Sequence, residues 1–283
     1  MKKPLLISFS GGKTSAYMTY MLVTARPPHV RDFMDEYEPY IVYANTGQEH
    51  PKTLEFIHNC EKHYGWDVTW LEAKVNPEPR QGTRYNEVDF VTASLTGEPY
   101  EAMIAKYGIP NAAFPHCTRE LKLAPINSWC KDRFGTSTIT TAIGIRTDEA
   151  RRVSATADKR KIIYPLIDLI PSDKQDVLDF WETQPFQLGL PEHLGNCTWC
   201  WKKSTKKLLK VMAEMPNAFD FPERMERDSP LGKNGKPLVF FRNHTSVQDL
   251  RKLFTQTGEP DDKFIEDSPC SESCDFLETI VNK

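Results

Sequence analysis

The sequence predicts an α/β protein built on a doubly wound, mostly parallel sheet with an irregular C-terminal extension. Three observations predict it: short apolar runs alternate with helix-compatible stretches, a glycine-rich turn joins the first run to the first such stretch, and regular periodicity fades beyond residue 222. Leu5-Leu-Ile-Ser-Phe9 is an apolar run closed by Gly11-Gly12, and Thr14 to Val23 follows without a breaker, which reads as strand, turn and helix. Tyr40-Ile-Val-Tyr-Ala44 is a second strand ending at Asn45-Thr46-Gly47. A helix over 53–64 and a third strand, Asp67-Val-Thr-Trp-Leu71, come next. Strands separated by helices lie parallel. Arg119 to Phe134 reads as a helix despite Pro125, Ser137 to Ile145 as a strand rich in β-branched residues, and 173–184 as a helix with Ser172 as its N-cap. From Pro222 onward Pro, Gly and charge dominate, with one helix at Val247 to Phe254.

Hydrophobic residues at 39% and charged residues at 27% are those of a globular chain. A mean hydropathy of −0.53 argues against a membrane span. The apolar stretch before Gly11 is too short for a signal peptide, so a cytoplasmic location is expected. A chain of 283 residues can bury one large core or two modest ones, and a main domain over 1–200 with an appendage over 201–283 is expected. The net charge of −3 does not advertise nucleic acid. Lysines do cluster at Lys202, Lys203, Lys206, Lys207 and Lys210, where a helix would carry them either as a solvated face or as a contact for RNA or DNA phosphates.

Ser8-Phe9-Ser10-Gly11-Gly12-Lys13-Thr14-Ser15 lies between a strand and a helix, where backbone N–H groups and the helix dipole hold phosphate. Glycines let the backbone approach the anion, and Ser10, Lys13, Thr14 and Ser15 add donors or charge. The spacing is not that of G-x-x-x-x-G-K-[ST], which removes a kinase or GTPase of that type. The run is similar to the S-G-G-x-x-S signature of the PP-loop superfamily of adenine nucleotide hydrolases. Many ATP pyrophosphatases of that superfamily carry Asp where Thr14 stands here.

Later segments narrow the resemblance to the phosphoadenosine phosphosulfate (PAPS) reductase family. Asn45-Thr46-Gly47-Gln-Glu-His-Pro-Lys-Thr53 resembles its Asp-Thr-Gly segment, with Asn45 in place of the Asp. Gly144-Ile-Arg146-Thr-Asp-Glu-Ala-Arg-Arg152 resembles its Gly-x-Arg segment, and Tyr164-Pro-Leu-Ile-Asp168 with Asp176-Val-Leu-Asp-Phe-Trp181 resembles a later pattern of packing residues. The resemblance implies that Thr46, Gly47 and Arg146 join the loop in binding an adenine nucleotide: ATP, PAPS or adenosine phosphosulfate.

Seven cysteines occur, at 60, 117, 130, 197, 200, 270 and 274. Cys197-Thr-Trp-Cys200 has the spacing that brings two thiolates to one metal or cluster. In the iron–sulfur branch of the family a Cys-Cys pair precedes a Lys and a Pro; Cys117 matches its first Cys, while Thr118 replaces the second. The resemblance thus implies a centre on Cys117, Cys197 and Cys200, with Cys270 or Cys274 as fourth ligand, holding a [4Fe–4S] cluster or, alternatively, zinc. Unligated thiols remain a third reading. Cys60 and Cys130 read as buried small hydrophobes. The family's nucleophilic Cys sits in a C-terminal motif ending Gly-x-His. Here Cys270 and Cys274 are the candidates, without that ending and beside Glu272 and Asp275.

Three functions follow as expectations. One is reduction of a sulfonucleotide to sulfite with a thiol reductant such as thioredoxin. Another is an ATP pyrophosphatase that adenylates a substrate, in support of nucleic-acid sulfur modification. The last is a non-catalytic nucleotide-binding or metal-sensing protein.

Overall fold

Side chains of the first strand point alternately to two different cores, and that alternation places the sheet between layers of helices. In the computed structural model, which describes residues 2–229, 231, 235 and 237–260, Leu5 and Ile7 enter one apolar cluster while Leu6 enters another. Ile41 and Tyr43 against Val42 and Ala44 repeat the pattern in the second strand. Strands buried on both faces require helices above and below.

The strands are β1 (Lys3–Ser8), β2 (Tyr37–Asn45), β3 (Val68–Lys74), β4 (Arg84–Val88), β5 (Thr140–Ile143) and β6 (Ile162–Ile163). Their order in the sheet is β4-β3-β2-β1-β5-β6, all parallel except β4, which pairs antiparallel with β3 at the edge. The chain winds from β1 through β2 to β3 on one side and returns to β5 and β6 on the other. Carboxyl ends of β1 and β5 therefore diverge at a switch point, where doubly wound sheets bind ligands. The expected fold class is the one observed.

The helices are α1 (Lys13–Thr19), α2 (Pro28–Met34), α3 (Pro51–Tyr64), α4 (Glu98–Tyr107), α5 (Ala124–Phe134), α6 (Pro165–Asp168), α7 (Lys174–Glu182), α8 (Thr205–Glu214), α9 (Asp220–Asp228) and α10 (Val247–Thr257). A π-helical segment, Tyr20–Ala25, prolongs α1, and another, Arg119–Leu123, leads into α5. Pro125 follows closely on the second of these π-helical segments, whose widened turn accommodates a residue with no N–H to donate. Helices α1, α3 and α7 cover one face, with Phe56 edge-on to Trp181 at 4.8 Å, and α5 covers the other through Ile126, Trp129 and Cys130.

Two local expectations change. Asp173, not Ser172, caps α7: its side chain accepts from the Gln175 and Asp176 N–H groups at 2.8 and 3.1 Å and closes a capping box with Asp176. The Ser172 hydroxyl donates instead to the Ile170 carbonyl at 2.7 Å. Within the extension, α9 is a helix that charge density and Pro222 conceal in the sequence, since Pro222 falls in its first turn. Helices α8, α9 and α10 share an apolar cluster with α4, Cys117, Cys197, Trp199, Cys200 and Trp201. The extension thus packs on the cysteine-bearing part of the chain.

Candidate nucleotide site

Ser8 ends β1 opposite Val42 and Ile143, and the loop turns immediately above it. Gly11 has φ +78°, and a Cβ there would lie 2.6 Å from Thr53 Cγ2, so this position needs glycine twice over. Gly12 precedes α1 in extended conformation. The loop is closed by its own hydroxyls: Ser10 Oγ lies 2.9 Å from Ser15 Oγ, which also accepts the Ser10 N–H at 3.1 Å, and Ser15 Oγ meets the Gly12 carbonyl at 3.0 Å. Trp181 Nε1 donates to the Lys13 carbonyl at 2.9 Å and ties the loop to α7. A cleft of about 280 Å³ opens along Ser10 to Lys13, walled by Thr53, Leu178, Leu188 and Leu190.

Across the switch point, the segment after β5 meets the loop. Gly144 packs so closely on Ser15 that a Cβ would come 3.2 Å from its Cα. Arg146 is 4% exposed, and its Nη1 donates to Thr14 Oγ1 at 2.9 Å. Its Nε and Nη2 grip both oxygens of Asp148 at 2.9 and 3.1 Å. Hydrogen bonds from Arg146 hold the Asp148 carboxyl below its ordinary value. Arg152 pairs with the buried Glu149, and these two line a small crevice with Ser10, Gly12, Thr14, Ser15 and Gly144. Arg152 faces the loop crevice, while Arg146 braces Thr14 from behind. Arg151 is exposed.

At the end of β2, Thr46 and Gly47 form a turn organised by two acids that sequence reasoning did not single out. Glu49 Oε2 accepts from Thr46 N–H and Oγ1 at 3.0 and 2.7 Å, and Lys122 approaches its other oxygen at 3.6 Å. Glu72 accepts from Asn45 Nδ2 at 2.6 Å. An acid at the carboxyl end of a parallel strand is the signal that marks Glu72; nothing in the sequence marks Glu49. The turn is zipped to the C-x-x-C segment. Thr198 N–H donates to the Gln48 carbonyl at 2.9 Å, Trp199 Nε1 donates to Gln48 Oε1, and Thr46 Oγ1 lies 3.4 Å from Cys197 Sγ.

Cys117, Cys197 and Cys200 are buried in one apolar cluster around Tyr100, whose hydroxyl is pushed well above its ordinary value by burial and then by these three thiols. Soft, buried thiols suit zinc or an iron–sulfur cluster. Among the described residues, however, no three of His, Cys, Asp or Glu come together in a way that holds a metal ion. Cys270 and Cys274 lie outside the described residues. Cys60 and Cys130 are core residues, as expected for small hydrophobes, and burial raises both thiols, Cys130 to about 11.

The lysine run is not a uniformly solvated face. Lys203 is 5% exposed and donates to the carbonyls of Cys197 and Thr198 at 3.0 and 2.6 Å. Lys207, 1% exposed, pairs with Glu192 at 3.0 Å, and Lys210 pairs with Glu214 and Glu259. Long stems buried on the apolar side of α8 explain how a helix dense in lysine packs against the core. Among the described residues, no helix is long and apolar enough to cross a membrane.

Comparison with known proteins shows the family. The phosphoadenosine phosphosulfate reductase domain matches residues 4–161, a span that holds the loop, the Thr46–Gly47 turn, Cys117 and Arg146 and stops short of Cys197. The uncharacterized nin region protein ORF290 of Escherichia phage lambda is 38% identical over 292 aligned positions, covering 96% of this chain and 94% of that protein. The uncharacterized protein MJ0066 of Methanocaldococcus jannaschii is 22% identical over 239, covering 81% of this chain and 42% of that protein. With that domain matched over residues 4–161, the chain belongs to the phosphoadenosine phosphosulfate reductase family, whose members bind adenine nucleotides.

Proposed function

We propose that the chain binds a sulfonucleotide, PAPS or adenosine phosphosulfate, with its phosphate end on Ser8–Ser15 and reduces it to sulfite. The observation that carries this choice is Thr14. Where pyrophosphatases of the superfamily place an acid, this loop has a neutral hydroxyl that receives the Arg146 guanidinium, which leaves the crevice without the loop carboxylate used in ATP cleavage. Loop N–H groups, Ser10, Lys13 and Arg152 bind and orient the anion, and Thr46 and Gly47 border the remainder of the nucleotide. A cysteine thiolate then attacks the sulfate sulfur. The bond from that sulfur to the phosphate oxygen breaks, the nucleotide leaves, and a second thiol, from a reductant such as thioredoxin, attacks the resulting cysteine S-sulfonate to release sulfite. Cys270 or Cys274 is the candidate for the first thiol. Cys117, Cys197 and Cys200, with the other of those two, would hold a cluster or zinc, which would tie the extension to the nucleotide-binding part of the chain.

A second reading, adenylation of an acceptor by ATP in support of nucleic-acid sulfur modification, draws on the S-G-G-x-x-S loop and on the missing Gly-x-His after Cys270 and Cys274. Of the lysines on offer for a nucleic acid, Lys206 is the exposed one. Anaerobically purified protein incubated with each sulfonucleotide and a dithiol should release sulfite. Pyrophosphate from ATP with no sulfite from either sulfonucleotide would favour the second reading. Tight nucleotide binding with no turnover would mean a non-catalytic protein.

A further inference from the structure

Glu72 lies opposite Asn45 in the register of β3 with β2 and is 7% exposed. Its Oε1 accepts from Asn45 Nδ2 at 2.6 Å and from the Ser94 N–H at 2.7 Å. Every polar position of the Asn45 amide is in use. Nδ2 also donates to the Ser94 carbonyl at 2.8 Å, while Oδ1 accepts from the Gly47 N–H at 3.2 Å and the Tyr43 hydroxyl at 3.4 Å. A carboxylate accepts only, so Glu72 fixes which way the amide faces, and the amide oxygen is thereby presented to Gly47. Gly47, at φ +79°, rests on the same loop: a Cβ there would lie 2.7 Å from Ser94 Oγ and 2.9 Å from Gly97 Cα. Glu72 thus holds both the turn and the backbone on which the turn sits.

We propose that Glu72 is a positioning residue of the nucleotide site, setting the shape of the Thr46–Gly47 turn through the Asn45 amide and the Ser94 backbone. This rests on the reading of that turn as part of the nucleotide site. It also accounts for Asn45 where the family resemblance leads to Asp. An aspartate would remove both donors and set a second carboxylate against Glu72 in a buried site.

The test is a double-mutant cycle on the full chain, with PAPS affinity read by calorimetry and melting temperature as the control for folding. A glutamine oxygen can still accept from Asn45 and Ser94, so Glu72→Gln should weaken binding by less than about threefold, whereas Asn45→Asp should weaken it by more than about tenfold. Adding Glu72→Gln to Asn45→Asp should recover about threefold or more, because the second carboxylate is gone. One substitution then acts with opposite sign in two backgrounds, which loss of bulk stability does not produce. Simple multiplication of the two effects would overturn the role of Glu72 while leaving the parent's nucleotide binding intact. A parent that binds no PAPS would overturn the reading of the turn, and this role with it. Should Asn45→Asp fail to fold, the cycle is run with Asn45→Ala and Glu72→Ala. The double variant is then expected to bind no more weakly than Asn45→Ala alone, and a further loss would contradict the proposal.

Discussion

The Arg146 guanidinium donates to the Thr14 hydroxyl at 2.9 Å and so joins the phosphate loop to the segment after β5. The bond crosses the switch point of the sheet, the place where a doubly wound fold opens toward its ligand. Because Arg146 also grips Asp148, it works as a brace between the loop and the segment after β5.

Replacing Arg146 by Ala should therefore do two things. Nucleotide affinity should fall by about 1.5–3 kcal/mol, the scale of a charge-assisted hydrogen bond. Stability in urea should fall by a similar amount, because Thr14 and Asp148 lose a common partner. Arg146→Lys should keep part of the first effect and little of the second, since an ammonium lacks the planar fork. Equal affinities in calorimetry for parent and alanine variant would remove Arg146 from the site.

Gly11→Ala should destabilise the chain by about 1–2 kcal/mol from left-handed backbone alone, with the clash on Thr53 in addition. Chemical denaturation checks this, and an unchanged midpoint would show that the loop relaxes freely.

Glu226 supplies a pH dependence. Burial raises its carboxyl to about 7 from the ordinary 4.5, against the opposing bonds from the Val247 and Phe240 N–H groups at 2.8 and 3.0 Å. A folded value above the unfolded one favours the protonated folded state. The corresponding stability is fully present below pH 4.5 and is lost as pH rises from there through about 7. Glu226→Gln should flatten the urea midpoint across that window, because an amide does not ionise there. A parent midpoint that rises across the window would contradict the assignment.

Cys197→Ser should remove any tightly bound iron or zinc, whereas Cys60→Ser, deep in the core, should leave metal content unchanged. Elemental and acid-labile sulfide analysis of anaerobic preparations decides. Full occupancy in the Cys197 variant, or a metal-free parent, would favour unligated thiols.

The strand and helix framework was legible because Leu5, Ile7, Ile41, Tyr43 and their neighbours form compact apolar runs, and the loop because glycine and hydroxyl residues cluster at one strand end. Helix α9 was not, because charge density and Pro222 mask its short buried stripe of Pro222 and Met225. Glu49 and Glu72 escaped notice for a different reason. Their roles depend on which turn lies beside them in space, as Glu72 meets Ser94 from 22 residues away. Burial of Lys207 on α8, and of Lys203 against the Cys197 and Thr198 carbonyls, likewise reflects tertiary packing that a run of lysines does not reveal.

The central claim is that Ser8–Ser15 holds the phosphate end of the nucleotide, and calorimetric titration of PAPS into the parent and Gly12→Val measures it most directly. Gly12 has an extended backbone that a branched residue adopts, so the variant should fold, while its side chain would occupy the crevice that Gly12 lines with Ser10, Thr14 and Ser15. The account predicts saturable binding to the parent and none to the variant, with melting temperatures alike. Equal affinity for the two proteins would contradict it.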